Sequence, residues 1–198
     1  MLGWHGVADD ERPPAQGRHL GNDAIDIPIM VQDAPLSGTQ LPVDLLATMA
    51  RELANVSYFK IECPFAADKL AALLAAAGDR IKGPYDGEEA VTLLADLDAG
   101  ATGTMTSALF PEQIRPIVVD YRAGKLDAAL SQWKKCLPLI NHENRQCGLR
   151  ATKTVFAAGG VIGSDFVRHP LKPLSDRTKS RLLQLARELD VLALSWGN

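Results

Sequence analysis

One lysine stands in the middle of a short stretch whose other residues favour a buried β-strand. Residues 57–62 read SYFKIE, with Lys60 at the fourth position. Burying an ammonium group is costly, so such a lysine is ion-paired, reaches solvent with its tip, or is functional. Burial also favours the neutral amine, which can attack a carbonyl and form a Schiff base. The alternative is a structural ion pair with Glu62, which lies two residues on and shares the same face of the strand.

The composition excludes several classes of function. The 198 residues are 46% hydrophobic, which allows a sizeable core, and the net charge of −3 offers no basic surface to nucleic acid. No apolar run approaches the ~20 residues of a membrane span. Cys63, Cys136 and Cys147 have neither zinc-site nor disulfide spacing, which indicates reduced thiols in a cytoplasmic protein. We therefore expect no nucleic-acid partner, no membrane contact and no metal site.

Strand and helix patterns alternate along the first half of the chain. They predict strands and intervening helices at 29–32, 42–54, 57–62, 68–77, 80–84, 87–99 and 101–107. Such alternation is typical of a parallel α/β sheet. Two architectures fit it. An open doubly wound sheet usually carries a glycine-rich phosphate loop, which this sequence lacks, and a (β/α)₈ barrel needs twice as many strands.

The second half of the chain is predicted to be helical. Apolar spacing and glycine punctuation predict helices at 112–122, 126–140, 149–158 and 177–194. The run His142-Glu143-Asn144-Arg145 has no metal-ligand spacing and is interpreted as a polar helix end or an interface. Glu88 and Glu89 are expected to open the helix at 87–99, where carboxylates favour the positive end of the dipole.

Several segments carry a family resemblance. The segments IPIMVQDAPLSGT, YFKIE, KGPYDGEEAVTLLADLDAGATGTM and LPLINHENRQ together resemble the dihydrodipicolinate synthase / N-acetylneuraminate lyase superfamily of class I aldolases. Within it they are most similar to the branch that dehydrates 2-keto-3-deoxy-L-arabonate. The resemblance implies an α/β fold made of the last four strands of a TIM (β/α)₈ barrel with a C-terminal helical extension. We expect an irregular segment at 1–22, half-barrel βα units at 23–123 and a helical region at 124–198.

The resemblance also implies roles for individual positions. Lys60 matches the lysine that forms the Schiff base. Gln32 stands where the common pattern has a proton-relaying tyrosine, and Glu62 is a possible acid/base group. The positions implied to contact the substrate follow the next two strands and are Gly83, Tyr85, Asp86, Thr104, Thr106 and Ser107.

The implied activity is a hydro-lyase reaction on a small 2-keto acid. A lysine imine would dehydrate a 2-keto-3-deoxy sugar acid, giving 2-oxoglutarate semialdehyde from the pentonate, with no cofactor because the imine itself is the electron sink. One alternative is a Schiff-base aldolase or synthase of the same superfamily. The other is a non-catalytic fragment that acts as an oligomerisation module.

The first four βα units of the family have no counterpart in this sequence. We therefore expect a truncated or frame-shifted gene product, or a reading frame begun from a late start. Half a barrel exposes strand edges and apolar surface, so it must pair with something. The expected partners are further copies of the chain, or a complementing N-terminal half.

Overall fold

A computed structural model describes residues 25–34 and 38–197 of the chain. The predicted irregular segment at 1–22 lies outside these residues. The strands are β1 (Ile29–Asp33), β2 (Val56–Ile61), β3 (Gly83–Asp86) and β4 (Gly103–Thr104). The helices are α1 (Val43–Glu52), α2 (Ala66–Ala77), α3 (Leu93–Asp98), α4 (Pro111–Arg122), α5 (Leu126–His142), α6 (Arg150–Ala158) and α7 (Asp176–Glu188).

The four strands form one sheet in the order β1-β2-β3-β4, and β2 pairs in parallel with both β1 and β3. The predicted parallel α/β sheet is therefore confirmed. Its strands are joined by crossovers that contain helices, as parallel pairing requires. The chain divides into two compact units. The first unit holds the described residues up to Glu88 together with Ala95–Gly103, and the second holds Glu89–Leu94 and the residues from Thr104 onward.

The core of the first unit is made by helices α1 and α2, which pack on each other and on β2. The apolar residues of each helix recur at helical spacing and are buried, with Leu46 and Ala50 on α1 and Leu70 and Leu73 on α2. Phe59 of β2 is fully buried. Alternate residues of a strand point to opposite faces, so Lys60 points away from Phe59.

The second unit is built from helices α4 to α7. Helix α4 packs on α5, and α7 packs on both α5 and α6. Ser175 caps α7, since its hydroxyl accepts the Thr178 N–H at 3.2 Å. Between α5 and α6 the chain makes a π-helical turn, Glu143–Cys147. The inward residues of these elements include Ile114, Ile117, Leu139, Ile140, Val155 and Leu182.

The third predicted strand is displaced along the chain. The prediction placed it at 80–84, whereas β3 is Gly83–Asp86. A 3₁₀ turn, Gly78–Arg80, follows α2 and takes up the start of the predicted strand. The strand is set instead by pairing with β2, which extends to the Ile61–Asp86 pair. Tertiary pairing thus overrides the local β propensity of residues 80–82.

Two further predictions were too long. The predicted helix at 87–99 begins only at Leu93, because Glu89 and Ala90 adopt left-handed backbone angles that no α-helix contains. The predicted strand at 101–107 is reduced to β4, Gly103–Thr104. The placement of Glu88 and Glu89 at a helix start is therefore wrong.

The last predicted helix, at 177–194, is also interrupted. Helix α7 ends at Glu188, since Asp190 has a positive φ of 52°, and a 3₁₀ turn at Leu192–Leu194 follows.

The three cysteines are free and buried. None of the described helices combines the length and the apolar character needed to cross a membrane.

Candidate active site

Three of the predicted site residues lie side by side across the sheet. In the register of the parallel strands, Gln32 of β1 is opposite Lys60 of β2, and Lys60 is opposite Tyr85 of β3. Residues paired in this way in parallel strands present their side chains on the same face. The structure therefore brings Gln32, Lys60 and Tyr85 together in one row.

The amine of Lys60 is buried and has an anionic partner. Lys60 is 9% exposed, and its Nζ lies 2.9 Å from Oε2 of Glu62. The side-chain amide of Gln32 donates to the same oxygen at 2.7 Å. Glu62 is thus fixed from two directions, by the lysine on its own strand and by the amide on the neighbouring strand.

This geometry confirms the predicted ion pair, and it also permits proton transfer. A carboxylate within hydrogen-bonding distance of an amine can accept its proton and leave the neutral nucleophile. Neither of the two bonds to Glu62 uses Oε1. The Gln32 amide has no acidic proton and cannot relay protons itself. It donates a hydrogen bond to the Glu62 carboxylate, which can accept and release a proton.

Gly83 makes room for the ring of Tyr85. A Cβ at Gly83 would lie 2.7 Å from Cε2 and 2.9 Å from Cζ of the Tyr85 ring. The ring therefore folds back along β3 over the glycine, and any larger residue there would push it away. Gly83 was predicted to let the backbone approach a keto acid, and the structure gives it this second role.

Asp86 lies outside the row. It follows Tyr85 directly, so its side chain leaves the opposite face of the sheet, where it is fully buried. Its Oδ1 accepts the Glu88 N–H at 3.0 Å, which closes a turn after β3. The structure does not place Asp86 beside Lys60, and its predicted contact with the substrate stays a prediction.

Two positions near the site had no role in the sequence analysis. Gly87 donates its N–H to the Ile61 carbonyl at 2.9 Å, and a Cβ there would lie only 2.7 Å from that oxygen. Asp33, fully buried at the end of β1, forms an ion pair with Lys69 of α2 and accepts the Leu41 N–H at 3.0 Å. Both contacts fix the ends of strands that carry site residues.

Cys63 lies beside this ion pair. Burial raises the pKa of the Cys63 thiol, the Lys69 ammonium lowers it, and the Asp33 carboxylate raises it. The thiol also hydrogen-bonds Asp33. A raised pKa disfavours the thiolate, so Cys63 is a structural residue and a poor nucleophile.

The other predicted substrate contacts, Thr104, Thr106 and Ser107, belong to the second unit. The Thr106 hydroxyl donates to the Glu89 carbonyl at 3.2 Å. Ser107 Oγ accepts the Leu109 N–H at 3.0 Å and lies 3.2 Å from the Thr152 hydroxyl. The side chains of Thr106 and Ser107 are thus engaged in contacts within their own unit.

Glu143 is the titratable group of the second unit that sequence reasoning missed. It opens the π-helical turn and is 6% exposed. Burial raises the pKa of its carboxyl to about 7, a hydrogen bond with the Ser107 side chain lowers that pKa, and the negative charge of Glu89 raises it. The sequence predicts that the run His142–Arg145 is a polar helix end or an interface, and it does not indicate that the Glu143 side chain is buried. Among residues 25–34 and 38–197, no group of three His, Cys, Asp or Glu side chains is placed to hold a metal ion.

The sequence matches a model of the dihydrodipicolinate synthetase family over residues 22–189. It is 55% identical, over 177 residues, to the L-2-keto-3-deoxyarabonate dehydratase of Azospirillum brasilense. That match covers 89% of this chain and 57% of the dehydratase. The chain thus spans a little over half the length of this relative.

Solved structures share the fold. The dihydrodipicolinate synthase of Aquifex aeolicus superposes with a TM-score of 0.81 at 18% identity, covering 92% of this chain and 63% of the synthase. The 4-hydroxy-tetrahydrodipicolinate synthase of Methylacidiphilum fumariolicum SolV superposes with a TM-score of 0.78 at 25% identity, covering 91% and 61%. The predicted partial barrel is therefore confirmed as a fold.

The raised pKa of Glu143 predicts a stability that falls with increasing pH. The pKa of about 7 in the folded state exceeds the ordinary glutamate pKa of 4.5, so the folded state holds the proton more tightly than the unfolded state. This stabilisation is complete below about pH 4.5 and is lost as the pH rises to about 7, by about 3 kcal/mol in total. We expect Glu143→Gln to remove this dependence.

Urea denaturation at intervals from pH 4.5 to 8 measures the effect. The difference in unfolding free energy between the wild type and Glu143→Gln isolates the Glu143 contribution from other titrating groups. Glu52→Gln, at an exposed position on α1, is the control and leaves the wild-type slope in place. Parallel pH curves for the wild type and Glu143→Gln would refute the assignment.

Proposed function

The chain belongs to the dihydrodipicolinate synthetase family, and from that premise we propose that it carries the Schiff-base machinery of a lyase that dehydrates a 2-keto-3-deoxy sugar acid. One observation carries the proposal. The buried amine of Lys60 lies 2.9 Å from the Glu62 carboxylate, in a row with Gln32 and Tyr85. A nucleophilic amine needs a neighbouring base that can take its proton, and this pair supplies both groups.

Imine formation uses the pair first. Glu62 accepts a proton from the Lys60 ammonium, and the neutral amine attacks the C2 carbonyl of the keto acid. The same carboxyl returns the proton to the resulting hydroxyl group, which leaves as water. The product is an iminium ion that joins Lys60 to C2 of the substrate.

Dehydration follows from the iminium. Glu62, again a carboxylate, removes a proton from C3, and the electron pair of that C–H bond moves toward the iminium to give an enamine. The enamine then expels the C4 hydroxyl, which leaves as water after protonation. Hydrolysis frees Lys60 and releases the dehydrated keto acid. In this scheme Gln32 holds Glu62 at the position from which it can reach both protons.

We propose 2-keto-3-deoxy-L-arabonate as the substrate and 2-oxoglutarate semialdehyde as the product, after tautomerisation. The support is the 55% identity to the Azospirillum brasilense protein named for that dehydration. A synthase or aldolase of the same superfamily would use the same imine but would form or break a carbon–carbon bond. Gln32, in place of the family's usual tyrosine, favours the dehydratase.

The proposal includes a protein partner and a location. Within the described residues β1 lies at one edge of the sheet, and Ile27 and Met30 expose apolar surface there. Such an edge favours pairing with another strand, from a second copy of the chain or from a complementing N-terminal half. Three free, buried cysteines are consistent with a cytoplasmic protein.

Pyruvate and borohydride test the imine directly. We expect the wild type to gain the mass of one pyruvate, less one water, plus two hydrogens, because borohydride reduces the iminium to a stable amine. Lys60→Ala removes the nucleophile and gains no such mass. Intact-mass spectrometry of the full chain measures both.

Lys82→Ala is the matched control, since Lys82 is an exposed lysine next to β3. It retains the adduct. A folded wild type without an adduct would overturn the proposed function for this chain. An adduct that survives Lys60→Ala would assign the chemistry to another amine.

Glu62→Gln separates the base from the nucleophile. The amide keeps the shape of Glu62 and a carbonyl acceptor for Lys60, but it cannot accept the C3 proton. We expect the reduced adduct to form more slowly but to reach the same mass at long incubation, because Lys60 is still present, while exchange of the pyruvate methyl protons with deuterium slows by about 10²- to 10⁴-fold. Proton NMR in D₂O follows this exchange, which passes through the enamine. Unchanged exchange in Glu62→Gln, with Glu52→Gln as the matched control, would leave Glu62 with a structural role alone.

A further inference from the structure

One buried charge in the first unit has no part in the proposed reaction. Asp33, the last residue of β1, is 1% exposed, and its Oδ2 lies 2.5 Å from Nζ of Lys69. Its Oδ1 accepts the Leu41 N–H at 3.0 Å. Two apolar residues of similar volume often stabilise a fold as well as a buried ion pair does. The Asp33–Lys69 pair is therefore better explained by where it holds the chain than by its contribution to stability.

The ion pair joins three segments at one edge of the sheet. Asp33 ends β1, Leu41 lies two residues before α1, and Lys69 is the fourth residue of α2. The carboxyl ends of parallel strands lie at the same edge, so Glu62, which comes directly after β2, lies at this edge too. The Asp33 carboxylate thus fixes α2, the helix that follows Glu62, to the neighbouring strand.

The link from Glu62 to α2 is short and strained. Three residues, Cys63, Pro64 and Phe65, separate Glu62 from the start of α2. Phe65 has a φ of 63° and a ψ of 36°, in the left-handed region, and it is 84% exposed, so burial of the ring does not offset the strain. Strain of this kind persists only where the surroundings determine the conformation. The Lys69 N–H donates to the Phe65 carbonyl at 3.3 Å, so Lys69 holds the link by its backbone and holds β1 by its side chain.

The peptide group that joins Ile61 to Glu62 is held from both sides. Its N–H, that of Glu62, donates to the Asp33 carbonyl at 2.9 Å, and its carbonyl, that of Ile61, accepts the Gly87 N–H at 2.9 Å. The Glu62 side chain therefore leaves a backbone that Asp33 fixes twice. One contact is this hydrogen bond, and the other is the ion pair with Lys69.

We propose that the Asp33–Lys69 ion pair positions the Glu62 carboxylate as the base of the reaction. This role rests on the proposed function, in which Glu62 takes the C3 proton of the imine. A base has to lie within hydrogen-bonding reach of the proton that it removes, and a misplacement of about 1 Å costs up to about 10²-fold in rate. Asp33 points to the face of the sheet opposite Lys60, so it acts on the reaction through Glu62 and is a positioning residue.

The double variant Asp33→Asn/Lys69→Met removes the ion pair without leaving a buried charge. Asparagine keeps an acceptor for the Leu41 N–H, and methionine is an unbranched side chain without the charge. Asp33→Leu/Lys69→Leu is a second neutral pair, of the apolar kind that often stabilises a fold. Lys69→Arg keeps the ion pair. Asp165→Asn, which removes an ion pair of 2.6 Å with Lys179 in the second unit, is the matched control.

Exchange of the pyruvate methyl protons in D₂O, followed by proton NMR at several pyruvate concentrations, measures the effect. We expect both neutral pairs to form the Lys60 adduct at long incubation and to lower the maximal exchange rate by about 10- to 100-fold. The half-saturating pyruvate concentration stays close to the wild-type value, because the groups that bind pyruvate are unchanged. Lys69→Arg recovers most of the lost rate, and Asp165→Asn keeps the wild-type rate.

Glu62→Gln shows whether the ion pair acts through Glu62. Once the base is gone its position no longer matters, so adding either neutral pair to Glu62→Gln slows exchange no further. Losses from residues that act separately would instead multiply. A folded neutral pair with wild-type exchange, a multiplied loss in the combined variant, or a Lys69→Arg variant as slow as the neutral pairs would overturn the proposal.

The same samples distinguish this positioning role from the proposed function. A wild type that forms the adduct, with exchange that depends on Glu62 but not on the ion pair, would overturn the positioning role alone. A folded wild type that forms no adduct would overturn the proposed function and the positioning role with it.

Discussion

A buried ammonium group needs a counter-charge, and the first unit is arranged to supply one. Lys60 points to the face of β2 opposite its apolar neighbours, and Glu62, two residues on, reaches back to it at 2.9 Å. Without Glu62 the amine would have to lose its proton or leave the sheet, because an unpaired buried charge costs several kcal/mol. The same carboxylate accepts a hydrogen bond from the Gln32 amide, which adds a side-chain link between β1 and β2. One carboxylate thus satisfies a charge and links two strands.

Successive side chains of a strand point to opposite faces of the sheet, so the site residues and the residues that fix the strand ends lie on different faces. Gln32, Lys60 and Tyr85 share one row, and Asp33, Ile61 and Asp86 form the next row on the opposite face. Two residues of the second row make structural contacts, since Asp33 pairs with Lys69 and Asp86 closes the turn after β3. In both β1 and β3 the last residue is a buried aspartate that fixes the strand end, and the residue before it belongs to the row that contains Lys60. The contacts of Asp33 and Asp86 thus fix the ends of the two strands that flank Lys60.

The sequence predicts the regular elements well because their apolar spacing is strict. Strands β1 and β2, helices α1 and α2, and helices α4 to α6 lie within two residues of the predicted bounds. The Lys60–Glu62 pair was also predictable, since strand geometry places residues i and i+2 on one face. Most of the errors fall between residues 80 and 107, where a 3₁₀ turn, left-handed residues at Glu89 and Ala90, and hydrogen bonds from side chains to backbone set the path. One more lies at the end of α7, where the positive φ of Asp190 interrupts the predicted helix. Those features depend on partners distant in sequence, which local spacing does not reveal.

Glu143 shows the same limit for a titratable residue. A polar run at the end of a long helix is most simply exposed, but the π-helical turn re-aims this part of the chain, and the Gly148 N–H closes it on the Glu143 carbonyl at 2.7 Å. The turn directs the carboxyl inward, toward Ser107 and the charge of Glu89. An apolar residue at this position would avoid the free-energy cost of burying a carboxyl group. The presence of Glu143 is therefore better explained by its hydrogen bond with Ser107 than by packing. In both units, then, a buried ionisable group is kept by a short-range partner, Glu62 for Lys60 and Ser107 for Glu143, and the backbone around each is shaped to present that partner.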